Sequence, residues 1–127
     1  MPELFLIFSH KLTEPQVKEA VEELGVEGVH YLPDELQEIW SNIPPELTYV
    51  SEHIQPIKNW LHNKVREGDY LLIQGDYGAT YQMVKWAFAN KCVPIYATTD
   101  RKTVETLENG KVIISRLFEH VRFRFYE

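Results

Sequence analysis

A chain of 127 residues, 44% hydrophobic and 13% aromatic, has enough length and apolar content to bury a core of its own, which excludes a disordered tail. A single cysteine, Cys92, rules out an intrachain disulfide, and no run approaches the roughly 20 apolar residues of a membrane span, so a cytoplasmic setting without membrane partners is expected. The net charge of −6 argues against DNA or long RNA as a partner, but residues 1–69 hold 5 basic and 13 acidic side chains while residues 70–127 hold 8 and 6, leaving the second half able to accept a compact anion.

Residues 4–8 form a continuous apolar run, as in a central strand buried on both faces, too short and without the basic flank of a signal peptide. Thr13, Pro15 and Gln16 then make a capping box. Val17, Ala20, Val21 and Leu24 follow at helical spacing, and Gly25 ends the helix. Residues 29–32 predict a second strand, and Pro33-Asp34 opens a short helix through about Trp40, stopped by Pro44-Pro45. Leu47, Val50, Ile54, Ile57, Leu61 and Val65 predict one kinked helix or two abutting ones around Pro56, ending near Gly68.

Residues 70–74 predict a third strand. A Gly75-Asp76-Tyr77-Gly78 turn leads into a helix marked by Thr80, Met83, Val84, Ala87 and Phe88. Residues 92–97 predict the fourth strand, residues 101–108 a short helix, and Asn109-Gly110 a turn; residues 112–118 and 121–126 predict a closing hairpin around Glu119-His120. This order implies one α/β domain over residues 1–127, a Rossmann-like three-layer arrangement with a mostly parallel sheet and a C-terminal β-hairpin.

Ligands of open α/β sheets sit outside the carboxyl ends of the strands. Three predicted loops leave strands there: Ser9-His10-Lys11; Gln74-Gly75-Asp76-Tyr77-Gly78-Ala79-Thr80; and Thr98-Thr99-Asp100-Arg101. In the middle one, glycines run straight into a helix, where free N–H groups favour an anion; a plain strand-to-helix turn is the alternative. His10 is a candidate acid, base or phosphate donor, or else a solvated or capping residue. Arg101 is a candidate phosphate clamp, or the partner of Asp100 or Glu105 in a surface ion pair. Trp40 and Asn42 either belong to the core or cover a nucleobase. The five histidines and Cys92 show no metal-ligand spacing, and no P-loop or G-x-S-x-G is present, so neither metal nor cofactor is expected.

Several segments together carry a family resemblance. Leu4-Phe5-Leu6-Ile7-Phe8-Ser9-His10-x-Leu12-Thr13, Leu36-Gln37-x-x-Trp40-Ser41-Asn42-Ile43-Pro44-Pro45, the stretch from Gly68-Asp69-Tyr70 through Gln74-Gly75-Asp76-Tyr77-Gly78-Ala79-Thr80, Pro94-Ile95-Tyr96-Ala97-Thr98-Thr99-x-Arg101 and Phe118-x-His120-Val121-Arg122-Phe123-Arg124 resemble a family of small, stand-alone CRISPR-associated ring nucleases of type III systems. The resemblance implies a fold related to the CRISPR-associated Rossmann fold, a homodimer, and metal-independent cleavage of cyclic oligoadenylate, chiefly the four-adenosine ring, which switches off antiviral signalling. It implies ligand contacts from Ser9-His10 and residues 98–101. Cleavage would be attack of a ribose 2′-hydroxyl on the adjacent phosphorus, with Ser9, His10 and Arg101 as candidate catalytic residues. Gln74, Thr98, Thr99 and the backbone of residues 75–80 would be further donors. The competing readings are a sensor or sponge that binds the ring without turnover, and an interaction module of an effector.

Overall fold

In the computed structural model, which describes residues 1–127, the elements are β1 (Leu4–Ile7), α1 (Glu14–Glu22), β2 (Val29–Tyr31), α2 (Asp34–Ser41), α3 (Ser51–His62), β3 (Tyr70–Ile73), α4 (Tyr77–Ala89), β4 (Val93–Glu108) and β5 (Lys111–Phe125). The sheet order is β2-β1-β3-β4-β5. The first four strands are parallel and β5 is antiparallel to β4, so the molecule is α/β with a mixed, mostly parallel sheet.

Period-two alternation splits the apolar strand residues between two cores. Phe5, Ile7, Leu71 and Ile73 pack with Trp40, Ile54, Ile57 and Met83 from α2, α3 and α4. Leu4, Leu6, Leu72, Ile95 and Phe123 turn to the opposite face, where α1 contributes Ala20. Both faces of β1 and β3 are therefore buried, which is why their sequences read as unbroken apolar runs.

Helix α1 departs from its predicted face. Thr13 N–H donates to Gln16 Oε1 at 2.9 Å as the capping box requires, and Gly25 ends the segment at φ +67°. Yet Gln16 and Ala20 are buried while Val17 and Val21 are exposed. The physical reason is Glu19. Its carboxylate accepts the Phe123 N–H at 2.8 and 3.0 Å and pairs with His120 Nε2 at 2.6 Å, which fixes the helix's rotation against β5. Helix α3 also begins later than its apolar pattern, at Ser51, and runs unbroken to His62 with Pro56 inside it; Leu47 lies in the preceding turn, exposed.

The largest corrections concern the C-terminal third. Residues 101–108 are not a helix but the outer half of β4, and the hairpin does not turn at Glu119-His120. It turns at Asn109-Gly110, where φ is +50° and +76°, the two positive values that a tight two-residue hairpin turn needs and that Asn and Gly supply most cheaply. Residues 112–118 and 121–126 thus belong to one strand, β5, interrupted by a bulge at Val121 opposite the Thr98/Thr99 step. Beta-branched Thr103, Val104 and Thr106 suit that outcome. Strand β3 pairs β4 only through Ile95; the two long strands run on together against α1 as far as Phe123 and His120, and beyond Thr99 they leave the sheet as a free ribbon.

Two groups make the fold sensitive to alkali. Burial, then the charge of Asp69, pushes the Cys92 thiol up from 9.0 to about 11, and burial, then Tyr96, raises the Tyr126 hydroxyl. Both are held neutral when folded, so their contribution is fully present below the unfolded pKa values, about 8.5 and 10. It is lost as pH rises through the higher folded values. The urea midpoint is expected to stay flat from about pH 7 to 8.5 and to fall above that. Thiol titration at pH 8 should find Cys92 inert in the native protein and reactive in urea. A midpoint independent of pH up to 11 would contradict this.

Candidate active site at the carboxyl edge of the sheet

Strands β1, β3 and β4 deliver three segments to one edge. After β1, the chain is held by α2: Gln37 Nε2 donates to the Phe8 carbonyl at 2.9 Å and to Ser41 Oγ at 3.2 Å, and Ser41 Oγ bonds Ser9 Oγ at 3.0 Å. Ser9 and His10 are exposed, and the His10 ring lies edge-on to Phe8 at 5.2 Å. The Ser9 hydroxyl is thus positioned by a small network, while His10 projects from it.

After β3, Gln74 ties the sheet together where the ladder ends. Its Oε1 accepts the Ala97 N–H at 2.7 Å, and its carbonyl accepts from Trp40 Nε1 at 2.9 Å. Trp40 is therefore a core residue, only 2% exposed, and not a stacking surface for a base. It also explains Gly75: a Cβ there would stand 2.8 Å from Trp40 Nε1, so this glycine makes room for the indole, whereas a Cβ at Gly78 would meet only ordinary contacts. Asn42 closes α2, its amide bonded to Glu38 Oε1 at 2.8 Å.

The N-terminus of α4 is partly spoken for. Asp76 caps it, its carboxylate accepting the Ala79 N–H at 3.0 Å, and Thr80 N–H bonds the Asp76 carbonyl at 2.8 Å. The Tyr77 and Gly78 N–H groups, in the first turn, have no partner within the helix at its positive end, with the Asp76 charge partly offsetting that end. Beside them Gln74, Gly75, Tyr77, Thr80, Tyr96 and Tyr126 line a hollow of about 290 Å³. Thr80 Oγ1 is buried there without a hydrogen-bond partner, and Tyr77 is 96% exposed. Tyr126 donates to the Ile73 carbonyl at 2.6 Å and packs on Tyr96 at 4.7 Å between ring centres. Arg124 lies over Tyr96 and donates to its hydroxyl at 3.1 Å, which leaves a guanidinium beside the hollow.

The third segment is not a loop. Thr98 Oγ1 donates to the Arg122 carbonyl at 2.9 Å inside the ribbon, and Thr99, Asp100 and Arg101 continue β4 outward. Arg101 covers Phe118 at 5.2 Å and sits roughly 13 Å beyond Ala97 at the strand's rise of about 3.3 Å per residue. Within one chain, Ser9, His10 and residues 74–80 share the edge, whereas Arg101 stands out along the ribbon. Tyr96, Arg124 and Tyr126 are the site residues that sequence reasoning missed. Reading Asn109-Gly110 as the hairpin turn would have put Phe123 opposite Tyr96, and the one-residue bulge at Val121 then moves the register by one to bring Arg124 there. The histidines are dispersed, and no three His, Cys, Asp or Glu side chains converge where a metal ion could be held. A larger groove, about 720 Å³, lies elsewhere, between α1 and β5, and mixes Glu19, Glu22 and Glu23 with Lys18, Arg122 and His120.

Fold and edge together define a small α/β domain with polar and aromatic groups gathered at the carboxyl ends of a mostly parallel sheet. The chain belongs to the family described as "Uncharacterized protein MJ1673 family", which it matches over residues 2–124. It is 48% identical over 126 residues to the Uncharacterized protein MJ1673 of Methanocaldococcus jannaschii, an alignment covering 99% of this chain and 98% of that protein. No solved structure matches the chain. No helix is long and apolar enough to cross a membrane.

Proposed function

We propose that this protein is a cytoplasmic, homodimeric ring nuclease that binds cyclic oligoadenylate, the four-adenosine ring first, and cleaves it to linear products without a metal. The observation that carries the reading is the hollow at the carboxyl edge. It offers a free aromatic face at Tyr77, the unpartnered Thr80 hydroxyl, first-turn N–H groups of α4 and the Arg124 guanidinium, the groups that one adenosine and its phosphate would use. About 290 Å³ is at the low end for a ligand pocket and accommodates one nucleotide, not a whole ring. Two-fold pairing of two such edges supplies the remainder, one identical site per subunit. The Rossmann-like reading of the fold belongs to the same proposal and is supported by helices on both sheet faces and by the position of this edge.

In this mechanism a ribose 2′-hydroxyl attacks the adjacent phosphorus, the 5′-oxygen departs, and a 2′,3′-cyclic phosphate end remains. The protein's part is to hold the in-line geometry and to donate hydrogen bonds to the phosphoryl oxygens as charge builds. His10 moves the proton and Ser9, held by Ser41, donates to a phosphoryl oxygen. Arg101, too far out to serve its own subunit's hollow, would act across the dimer. The second reading, a sponge that binds without turnover, is favoured by one feature: the His10 side chain is exposed and no hydrogen bond within the chain orients its ring.

Tyr77→Ala tests the binding half. Loss of one stacking face should weaken binding of cyclic tetra-adenylate by about 1–3 kcal/mol in a titration, with the unfolding midpoint unchanged because the ring touches solvent on nearly all sides. Unaltered affinity would remove the hollow from the site.

A further inference from the structure

The C-terminal half of α2 reaches two strand ends at the carboxyl edge. Trp40 donates to the Gln74 carbonyl after β3, and its neighbour Ser41 bonds Ser9 after β1. One turn earlier in the same helix, Gln37 holds the Phe8 carbonyl. Gln37 and Ser41 stand at i and i+4, so both face the end of β1. Trp40 is core, but Gln37 is half-buried and Ser41 exposed, so packing does not account for these two polar side chains. Their hydrogen bonds run in one direction. A carbonyl oxygen only accepts, so Phe8 sets the Gln37 amide with Nε2 toward it at 2.9 Å. The same Nε2 also donates to Ser41 Oγ at 3.2 Å. Ser41, already accepting, gives its own proton to Ser9 Oγ at 3.0 Å. Ser9 is left with a hydroxyl proton that no group of the chain accepts, at an exposed position on the edge.

We propose that Gln37 and Ser41 are positioning residues, forming a one-way donor chain from Gln37 through Ser41 to Ser9 that aims the Ser9 proton at a phosphoryl oxygen of the ring. The inference rests on the ring-nuclease reading and names the residues that make Ser9 a donor in it. A phosphoryl oxygen suits the end of such a chain, because it only accepts and because it gains charge as the 2′-hydroxyl attacks. A serine hydroxyl without partners turns freely and offers lone pair and proton alike. In Ser9 one lone pair is engaged by Ser41, which leaves the proton to point outward and strengthens it as a donor, since hydrogen bonds in a chain polarise one another. The bond from Trp40 to the Gln74 carbonyl ties this helix to one wall of the hollow as well. One rigid element therefore holds the donor and the nucleotide pocket in register, as a site that must be preorganised requires.

Reversing the chain is the test. Gln37→Glu keeps the shape, but a carboxylate only accepts, so it takes the Ser41 proton and Ser41 in turn draws on the proton of Ser9. Single-turnover cleavage of cyclic tetra-adenylate should slow by about 10-fold or more while affinity for the ring stays within about threefold, because the donor acts on charge that builds only in the transition state. Ser41→Ala, at an exposed site where the fold is not at stake, should also slow cleavage by about 10-fold, and Ser41→Thr, which keeps the hydroxyl, should recover most of the rate. In a Ser9→Ala chain, itself slowed by about 100-fold, neither Gln37→Glu nor Ser41→Ala should lower the rate further, since both act through Ser9. Unimpaired cleavage in Gln37→Glu or in Ser41→Ala overturns the relay and leaves the ring-nuclease reading standing. Full further losses on top of Ser9→Ala do the same. No cleavage by the wild-type chain overturns that reading, and the relay with it.

Discussion

Glu19→Ala is expected to cost about 2–4 kcal/mol of stability, because it strips a buried N–H and a buried imidazole of the carboxylate that bonds both. One carboxylate does two jobs at the foot of the β4–β5 ribbon. It accepts the N–H of Phe123, a residue 1% exposed, and it pairs with His120, whose side chain is 5% exposed. The His120 Nδ1 atom is already buried without a partner, so an unpaired Nε2 would leave the whole ring unsatisfied. An unpaired buried N–H alone costs about 1–3 kcal/mol. Glu19→Gln should be milder, about 1–2 kcal/mol, since the amide oxygen still accepts from Phe123. Urea unfolding monitored by tryptophan fluorescence measures both; a loss below about 1 kcal/mol in Glu19→Ala would show that these contacts do not hold the bulge.

His10→Ala is expected to lower the single-turnover rate of ring cleavage by roughly 10²–10⁴-fold with affinity nearly unchanged, the signature of lost acid–base catalysis. The side chain is exposed beside the positioned Ser9, so its removal leaves the fold intact and the effect is local. His10→Gln retains a donor but cannot relay a proton at the same site, and should be as slow as alanine. If glutamine recovers both rate and affinity, His10 is a phosphate donor only. A wild-type rate in the alanine variant would take His10 out of the site and leave positioning by Ser9, Thr80 and the α4 N-terminus to carry the chemistry.

Much of this molecule is legible where local and global signals agree. The buried runs at residues 4–7 and 70–73, the Thr13 capping box and the Gly25 stop follow from short-range rules, and packing left them standing. The errors fall where a long-range contact overrides a local pattern. Val17 and Val21 sit at helical spacing, yet Glu19 turns them outward because its bonds to β5 outweigh burying two valines. The apolar residues of 101–108, Val104 and Leu107, stand at helical i, i+3 spacing, and pairing with residues 111–118 makes the segment a strand all the same. That single misreading hid Tyr96, Arg124 and Tyr126, which the hairpin register brings together from distant positions. It also turned the outer half of β4, with Arg101, into a supposed loop. Gly75 was legible as a close-approach glycine, but the approaching group is Trp40, 35 residues away in the chain, and no local rule could have supplied it.

Multiple-turnover cleavage decides whether this chain is a ring nuclease. Labelled cyclic tetra-adenylate in large excess over protein, with a metal chelator present, should be converted to linear adenylates ending in a cyclic phosphate, over many equivalents. Tight binding with no product beyond one equivalent, or no binding at all, would contradict the account: the first would make the protein a sponge, and the second would sever it from cyclic oligoadenylate altogether.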